Sequence, residues 1–145
     1  MASSIELVEN TQPLETNSDK KIKQTLLLIE DDHYLSKVFL VSDNQLAYQT
    51  TTIRTVEVLS QELKNHLIDN KPNMIVLDIG FAEKAQFLII QNLRAIFDGL
   101  LVIVSNMNDE EEQIDAFKLG VDDYLPKPID NRILIMRIEA LFRRQ

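Results

Sequence analysis

The sequence contains no cysteine and no tryptophan, and it holds only three glycines and four prolines in 145 residues. Without cysteine the chain can form neither a disulfide nor a thiolate metal site, and it has no cysteine nucleophile. So few glycines exclude a glycine-rich loop that cradles phosphate. No apolar run approaches the ~18 residues of a membrane span, and the N-terminus has no signal-peptide pattern. We therefore expect a cytoplasmic protein without membrane contact.

Positive charge is in the minority, with 15 lysines and arginines against 23 aspartates and glutamates and a net charge of −8. An acidic surface argues against binding of nucleic acid or anionic lipid by charge alone. The length fits one domain, and a hydrophobic content of 45% is sufficient for a core. Residues 1–23 are polar and weakly periodic, so we expect a flexible tail there and a single domain over 24–145.

Beyond residue 23, short apolar runs alternate with segments of helical periodicity. Strands are predicted at 26–29, 46–53, 74–77, 100–104 and 121–125. Helices are predicted over 33–43, 55–69 and 83–97, from an N-cap at Asn108 or Asp109 to Gly120, and from Asp130 onward. Three of the strands are apolar at consecutive positions, as strands buried on both faces of a parallel sheet are. We therefore predict an α/β fold, with a doubly wound five-stranded parallel sheet flanked by five helices.

Reactive side chains follow four of the five predicted strands. In chain order they are Glu30, Asp31, Asp32, Asp78, Ser105 and Lys127. Since the carboxyl ends of parallel strands meet at one edge of the sheet, we expect these groups to lie together. Clustered carboxylates repel by about 4 kcal/mol per pair at an effective dielectric constant of about 20, so lysine and a hard cation such as Mg²⁺ must offset them. A carboxylate held in this way can attack phosphorus and form an aspartyl phosphate.

Each of these residues also has a purely structural interpretation. The three acids after the first strand could cap the first helix, and Asp78 could begin a turn. Lys127, between Pro126 and Pro128, could be an exposed loop lysine. The shared position at strand ends, in the order acids, acid, hydroxyl and lysine, favours the chemical interpretation.

Four sequence blocks in this order resemble the receiver domain of two-component response regulators. They are LLLIEDD (26–32), MIVLDI (74–79), LVIVSN (101–106) and KLGVDDYLPKPID (118–130). The last helix, RILIMRIEALFRR (132–144), resembles that of the OmpR/PhoB-type subfamily, whose members regulate transcription. The resemblance covers residues 24–145 and implies a flavodoxin-like fold and phosphorelay signalling.

The resemblance implies a role for each matched residue. Asp78 would be the phosphoacceptor for a sensor histidine kinase, and Lys127 would pair with the phosphoryl group. Mg²⁺ would be held by Glu30, Asp31, Asp78 and the main-chain carbonyl of Gly80. The Ser105 hydroxyl would turn toward the phosphoryl group, and the aromatic switch residue Tyr124 would then move inward. The Lys127–Pro128 peptide would be cis.

Two positions depart from the family pattern. Family members commonly have a proline four residues after the acceptor, where this chain has Ala82, and a glycine soon after, which this chain lacks. Asn106 follows Ser105 where a small residue is usual, so a narrower access to the phosphoryl group is expected. The acid, hydroxyl and lysine positions are all kept, which favours a phosphorylatable receiver.

The resemblance also implies a symmetric dimer, favoured by phosphorylation, through the fourth helix, the fifth strand and the fifth helix. Three residue pairs fall at the contact positions: Asp123 with Arg137, Lys118 with Glu139, and Gln113 with Ile133. The second pair has its charges reversed, and the third is not ionic. These residues could instead be solvated, because exposed ion pairs contribute only about 0–1 kcal/mol. The apolar Ile133 beside Arg137 favours an interface.

Two functions remain open on this evidence, a phosphotransfer switch and a protein-interaction module that works without phosphate. The retained Asp31, Asp78, Ser105 and Lys127 favour the switch. A turnover hydrolase would need a cap domain for which the chain is too short, so the chemistry expected is only the domain's own phosphorylation and dephosphorylation. We expect the sequence to be either an excised receiver or a natural stand-alone regulator of one domain. The resemblance of the last helix favours excision, and DNA binding would then belong to a domain outside this sequence.

Overall fold

The computed structural model describes residues 6–10, 24–42, 48–54, 61–79 and 83–145. Within these ranges the strands are β1 (Glu6–Asn10), β2 (Gln24–Glu30), β3 (Tyr48–Arg54), β4 (Met74–Ile79), β5 (Leu100–Ser105) and β6 (Asp123–Pro126). The helices are α1 (Tyr34–Ser42), α2 (Gln61–Asn70), α3 (Glu83–Ile96), α4 (Glu110–Lys118) and α5 (Asn131–Arg143). The first residues of the predicted second helix, 55–60, lie outside the described ranges.

The strands form one sheet in the order β1-β3-β2-β4-β5-β6. Every pairing among β2 to β6 is parallel. The predicted fold of five parallel strands with five helices is therefore confirmed. In chain order the sheet grows from β2 to β3 on one side and to β4, β5 and β6 on the other, which is the doubly wound arrangement.

The strand β1 differs from the flexible tail expected over 1–23. It pairs antiparallel with β3, from Glu6 opposite Arg54 to Asn10 opposite Thr50. Without it, β3 would expose a row of unpaired backbone groups at the edge of the sheet. Such a strand is determined by a partner far along the chain, so local periodicity does not reveal it. The remainder of 1–23 lies outside the described ranges.

The buried apolar side chains form two clusters, one on each face of the sheet. Leu27 and Ile29 of β2 belong to the cluster with residues of α2, α3 and α4. Their neighbours Leu26 and Leu28 belong to the cluster with residues of α1 and α5. Because side chains alternate between faces along a strand, a run of consecutive apolar residues supplies both clusters. The two layers leave the carboxyl ends of the strands free for polar side chains.

The ends of α4 and α5 follow the expected sequence signals. Asp109 and Asp130 are their N-caps, and each side chain accepts a hydrogen bond from the backbone N–H two residues ahead. Gly120, just after α4, has a φ of 102°, which glycine adopts without a Cβ clash. Over the ranges given above, no helix is both long and apolar enough to cross a bilayer.

Candidate functional site

The carboxyl ends of the parallel strands bring the predicted site residues to one edge. In the sheet register Glu30 lies beside Asp78, Ile79 beside Ser105, and Ser105 beside Pro126, which Lys127 follows. The edge includes the point where strand order reverses, between β2 and β4. Ligands of doubly wound sheets bind at such a point.

The Asp78 carboxylate at the end of β4 is buried and forms an ion pair with Lys127. The Lys127 Nζ atom lies 2.7 Å from Asp78 Oδ2, and the Asp78 side chain has no exposed surface. This contact is not aligned as a hydrogen bond, and Oδ1 has no hydrogen-bond partner among the residues that the structure describes. The Lys127–Pro128 peptide is cis, as the resemblance implied. The site thus holds a buried carboxylate with one counter-charge and an uncommitted oxygen.

The acids of this edge share one electrostatic environment. Burial raises the pKa of Asp78; Lys127 opposes the shift, and the charges of Asp32 and Asp31 add to it. Burial also raises the pKa of Glu30, and the charges of Asp32 and Asp78 contribute to that shift. Mutual repulsion and lost hydration therefore both disfavour the fully ionised cluster.

Two acids at the end of β2 and in the turn after it also form hydrogen bonds with the start of α1. Glu30 accepts hydrogen bonds from the backbone N–H of Ser36 at 3.1 Å and from its hydroxyl at 3.0 Å. Asp32 Oδ1 accepts a hydrogen bond from the Tyr34 backbone N–H at 3.0 Å. The structural interpretation therefore holds for Asp32 and in part for Glu30, because both carboxylates satisfy N–H groups of the first helical turn. Asp31, between them, is exposed.

The aromatic ring of Tyr34 is a part of the site that sequence reasoning missed. Lys127 Nζ lies 4.8 Å from the ring centre, within the range of a cation–π contact. The Tyr34 hydroxyl lies 3.5 Å from the Ile129 carbonyl oxygen and 3.4 Å from Asn131 Oδ1. Tyr34 thus gives the ammonium group a second partner beside Asp78. The signal available in the sequence was an aromatic residue two positions after the last of the three acids.

Ser105 and Tyr124 belong to a second hydrogen-bonded network. Ser105 is fully buried, and its Oγ accepts a hydrogen bond from the Met107 backbone N–H at 3.1 Å. The Tyr124 hydroxyl lies 3.5 Å from the Met107 carbonyl oxygen and accepts a hydrogen bond from Gln86 Nε2 at 3.0 Å. Both predicted switch residues are therefore connected through Met107.

Gln86 was not recognised from the sequence, although a signal was present. It lies at helical spacing from Ile90 and Leu93, which form the buried apolar stripe of α3. A polar residue on such a stripe is unusual, and its buried polar group needs a hydrogen-bond partner.

The residues predicted to form the dimer contacts lie on α4, β6 and α5, at the β6 edge of the sheet. Asp123 and Arg137 form an ion pair within one chain, with Arg137 Nη1 3.5 Å from Asp123 Oδ2. The others lie at the surface or half-buried on the two helices: Gln113, Lys118, Ile133 and Glu139. The same helices carry four exposed large apolar side chains, Ile114, Phe117, Ile133 and Met136.

The described residues of this edge offer a divalent cation only a few donor groups. Gly80, one predicted donor, lies outside the described residues. Among those that are described, no three acidic or histidine side chains form a ready cluster for a metal ion. Mg²⁺ needs only one or two carboxylates and completes its shell with water and phosphate oxygens. The uncommitted oxygen of Asp78 and the exposed Asp31 meet that need.

Fold and site together define a class, a flavodoxin-like α/β domain with an aspartate–lysine pair, an acidic cluster and a hydroxyl at its strand ends. The family model of the response regulator receiver domain matches residues 26–139, and the chain belongs to this family. Receiver domains are signalling domains and not classical enzymes. They generally depend on Mg²⁺, interact with histidine kinases and often dimerise.

Curated proteins similar to this chain are named as regulatory proteins. The regulatory protein VanRB of Enterococcus faecalis is 29% identical over 119 residues, which cover 82% of this chain and 52% of that protein. The transcriptional regulatory protein KdpE of Staphylococcus aureus is 29% identical over 122 residues, 84% of this chain and 51% of that protein. The chain thus spans about half the length of these curated relatives.

Solved structures show the same fold. A response regulator from Thermotoga maritima superposes with a TM-score of 0.68 at 18% identity, covering 82% of this chain and 97% of that one. The BeF3-activated receiver domain of RstA from Klebsiella pneumoniae superposes with a TM-score of 0.62 at 18% identity, covering 81% of this chain and 97% of that one.

Proposed function

We propose that this receiver accepts a phosphoryl group on Asp78 from a sensor histidine kinase in the cytoplasm, in a Mg²⁺-dependent step. The observation that carries the proposal is the buried Asp78 carboxylate, 2.7 Å from Lys127 Nζ, with one oxygen unpartnered in the described part of the chain. A buried carboxylate with incomplete bonding costs stability. Chemistry at that oxygen explains why such an arrangement is kept.

In the proposed reaction, a carboxylate oxygen of Asp78 attacks the phosphorus of a phosphohistidine. A P–O bond forms as the P–N bond breaks, and the electron pair of the broken bond stays on the imidazole nitrogen, which takes up a proton from solvent. Lys127 neutralises charge on the phosphoryl oxygens. Ser105 can donate its hydroxyl proton to one of them, because its Oγ already accepts from Met107. Positioning and charge neutralisation supply most of the catalysis in phosphoryl transfer.

The proposed cation site uses the acids of the same edge. Asp31 and Asp78 would hold Mg²⁺ directly, and Glu30, which is bonded to Ser36, would act in part through water. The main-chain carbonyl of Gly80 is proposed as a further donor on the resemblance alone. When bound, the ion supplies the positive charge that offsets repulsion between the carboxylates and the phosphoryl group.

Intact mass spectrometry tests the proposal. Incubation with Mg²⁺ and acetyl phosphate should add about 80 Da, the mass of one phosphoryl group, to the wild-type chain. Asp78→Asn should show no gain, since a carboxamide is not a comparable nucleophile. Asp98→Asn, at an exposed aspartate away from the carboxyl ends of the strands, should keep the gain.

A wild-type chain without the gain would be tested next with a histidine kinase, because Asn106 is expected to narrow the access for small donors. Failure of both donors would contradict phosphotransfer. The receiver would then act as a phosphate-independent interaction module.

We further propose that phosphorylation favours a symmetric dimer through α4, β6 and α5. The four exposed apolar side chains on α4 and α5 form the kind of surface that protein partners cover. The Asp123–Arg137 pair can exchange for the same pair between two copies, because a twofold interface presents each residue to its counterpart. Lys118 with Glu139 and Gln113 with Ile133 are proposed as further contacts.

Arg137→Glu should weaken this dimer by about tenfold or more, because each copy would then oppose Asp123 of the other with a like charge. Sedimentation velocity with Mg²⁺ and beryllofluoride, a phosphoryl analogue, measures the effect. Arg144→Glu, exposed beyond the end of α5, is the matched control and should leave the dimer intact. Asp123→Arg combined with Arg137→Glu should restore association. An unchanged dimer in the single variant would disprove this interface.

The relatives suggest the output. KdpE is a transcriptional regulatory protein, and this chain spans about half of its length. We propose that the receiver controls transcription through a DNA-binding domain outside these 145 residues. The net charge of −8 agrees with a receiver that does not itself bind DNA.

A further inference from the structure

We propose that Gln86 is a positioning residue that holds the Tyr124 ring buried before any phosphoryl group is present. The proposal rests on the proposed function in so far as Tyr124 is taken as a switch of the output surface. The structural part of it, that Gln86 fixes the position of Tyr124, stands on contacts within the described residues.

Gln86 is a buried polar residue on the side of α3 that faces the core. The side chain is fully buried on the stripe of α3 that also carries Ile90 and Leu93. An apolar residue would fill this position without desolvating an amide. The amide does have one close partner, because Nε2 donates a hydrogen bond to the Tyr124 hydroxyl at 3.0 Å. Its Oε1 has no partner within the described ranges, so packing alone does not explain a glutamine here.

The bond from Gln86 satisfies the buried hydroxyl of Tyr124. Its ring packs in the same apolar cluster as Ile90 and Leu93, with 4% of the residue exposed. A buried phenol needs a hydrogen-bond partner. The second partner is the Met107 carbonyl oxygen, to which the hydroxyl donates at 3.5 Å, the long limit of a hydrogen bond. The bond from Gln86 is the shorter, so it contributes more to holding the ring in place.

The same bonds connect α3 to the phosphoryl site. The Met107 carbonyl oxygen accepts a hydrogen bond from the Tyr124 hydroxyl, and the Met107 backbone N–H donates one to Ser105 Oγ. Gln86 therefore fixes one end of a chain of hydrogen bonds whose other end is the proposed switch hydroxyl. The proposal therefore has Tyr124 already buried without a phosphoryl group, so that phosphoryl transfer would move the ring little.

The three tyrosines of the chain make a direct test possible. Labelling with 3-fluorotyrosine gives three ¹⁹F signals, assigned by Tyr→Phe variants. Their shift between H₂O and D₂O reports solvent exposure. Tyr48, 9% exposed, is the internal buried reference, and the half-buried Tyr34 is the partly exposed one. The full chain is measured without Mg²⁺ and then with Mg²⁺ and beryllofluoride.

In the wild type, we expect the Tyr124 isotope shift to match that of Tyr48 in both conditions. Gln86→Met keeps the length of the side chain and removes the amide. It should raise the outward population of Tyr124 about fivefold without the analogue, as the loss of one typical hydrogen bond would. Adding the analogue should return the signal toward the wild-type value. Gln91→Met, exposed on the same helix, should change nothing.

Two results would overturn the proposal: a wild-type Tyr124 as exposed as Tyr34, or an unchanged Tyr124 signal in Gln86→Met. If Gln86→Met folds but is too unstable for the fluorine measurement, a thermal double-mutant cycle with Tyr124→Phe decides. Coupled losses of Tm support the bond, and strictly additive losses refute it. Failure of phosphotransfer is seen separately by intact mass, because the first fluorine measurement needs neither Mg²⁺ nor a phosphoryl donor.

Discussion

Replacing Lys127 by methionine should lower the free energy of unfolding by about 3 to 5 kcal/mol at pH 7, the range observed when one partner of a buried ion pair is removed. The Asp78 side chain is fully buried and that of Lys127 is 14% exposed, with 2.7 Å between the charged atoms. Methionine keeps the length of the lysine stem but leaves the carboxylate without its counter-charge. Urea unfolding without Mg²⁺ measures the effect.

Three comparisons isolate the charge from the packing. In an Asp78→Asn background, Lys127→Met should cost far less, because no buried negative charge remains. Lys118→Met, at an exposed lysine on α4, should cost almost nothing. At pH near 4 the loss in the single variant should shrink, since Asp78 can then take up a proton. An equal cost of Lys127→Met in both backgrounds would show that the lysine acts by packing.

Asp78→Asn should have the opposite effect to Lys127→Met. It should raise the free energy of unfolding at pH 7 by about 1 to 3 kcal/mol, the typical penalty of a poorly satisfied buried group. Burial raises the pKa of Asp78 above its ordinary value of 3.8. The native state therefore keeps the proton to a higher pH than the unfolded chain does. By linkage, this group's contribution to stability falls as pH rises from about 3.8 through the native pKa.

Unfolding measured between pH 3.5 and 8 tests the sign. The difference between Asp78→Asn and wild type should be small at the acid end, grow through the native pKa and then stay level. Mg²⁺ should narrow the difference at pH 7, since a bound cation favours the charged carboxylate. A wild type more stable than the variant at pH 7 without Mg²⁺ would contradict a carboxylate that burial disfavours.

The sequence was sufficient to predict the parallel strands of the fold, because each of them is a short segment with its own apolar composition. Consecutive apolar residues such as Leu26 to Ile29 favour burial on both faces, and a parallel sheet between two helical layers provides it. The acid, hydroxyl and lysine at the strand ends could be placed together for the same reason. Topology alone brings strand ends to one edge.

The sequence was insufficient where a contact joins distant segments of the chain without a local pattern. The β1 strand lies in a polar region and exists through its antiparallel pairing with β3. Tyr34 contacts Lys127 only because the turn after β2 and the loop after β6 meet at one edge. Asp123 and Arg137, predicted as partners between two copies, already pair within one chain.

The sequence by itself determined the fold class, the family and the set of residues at the strand ends, since periodicity and strand-end position are properties of short segments. Only the tertiary structure decided which partners these residues have. It paired Lys127 with Asp78, assigned Glu30 in part to the start of α1, and placed the Gln86 amide on the hydroxyl of Tyr124. The physical reason is that hydrogen bonds and ion pairs act over a few ångströms, whereas these partners are separated by up to 49 positions in the chain, from residue 78 to residue 127.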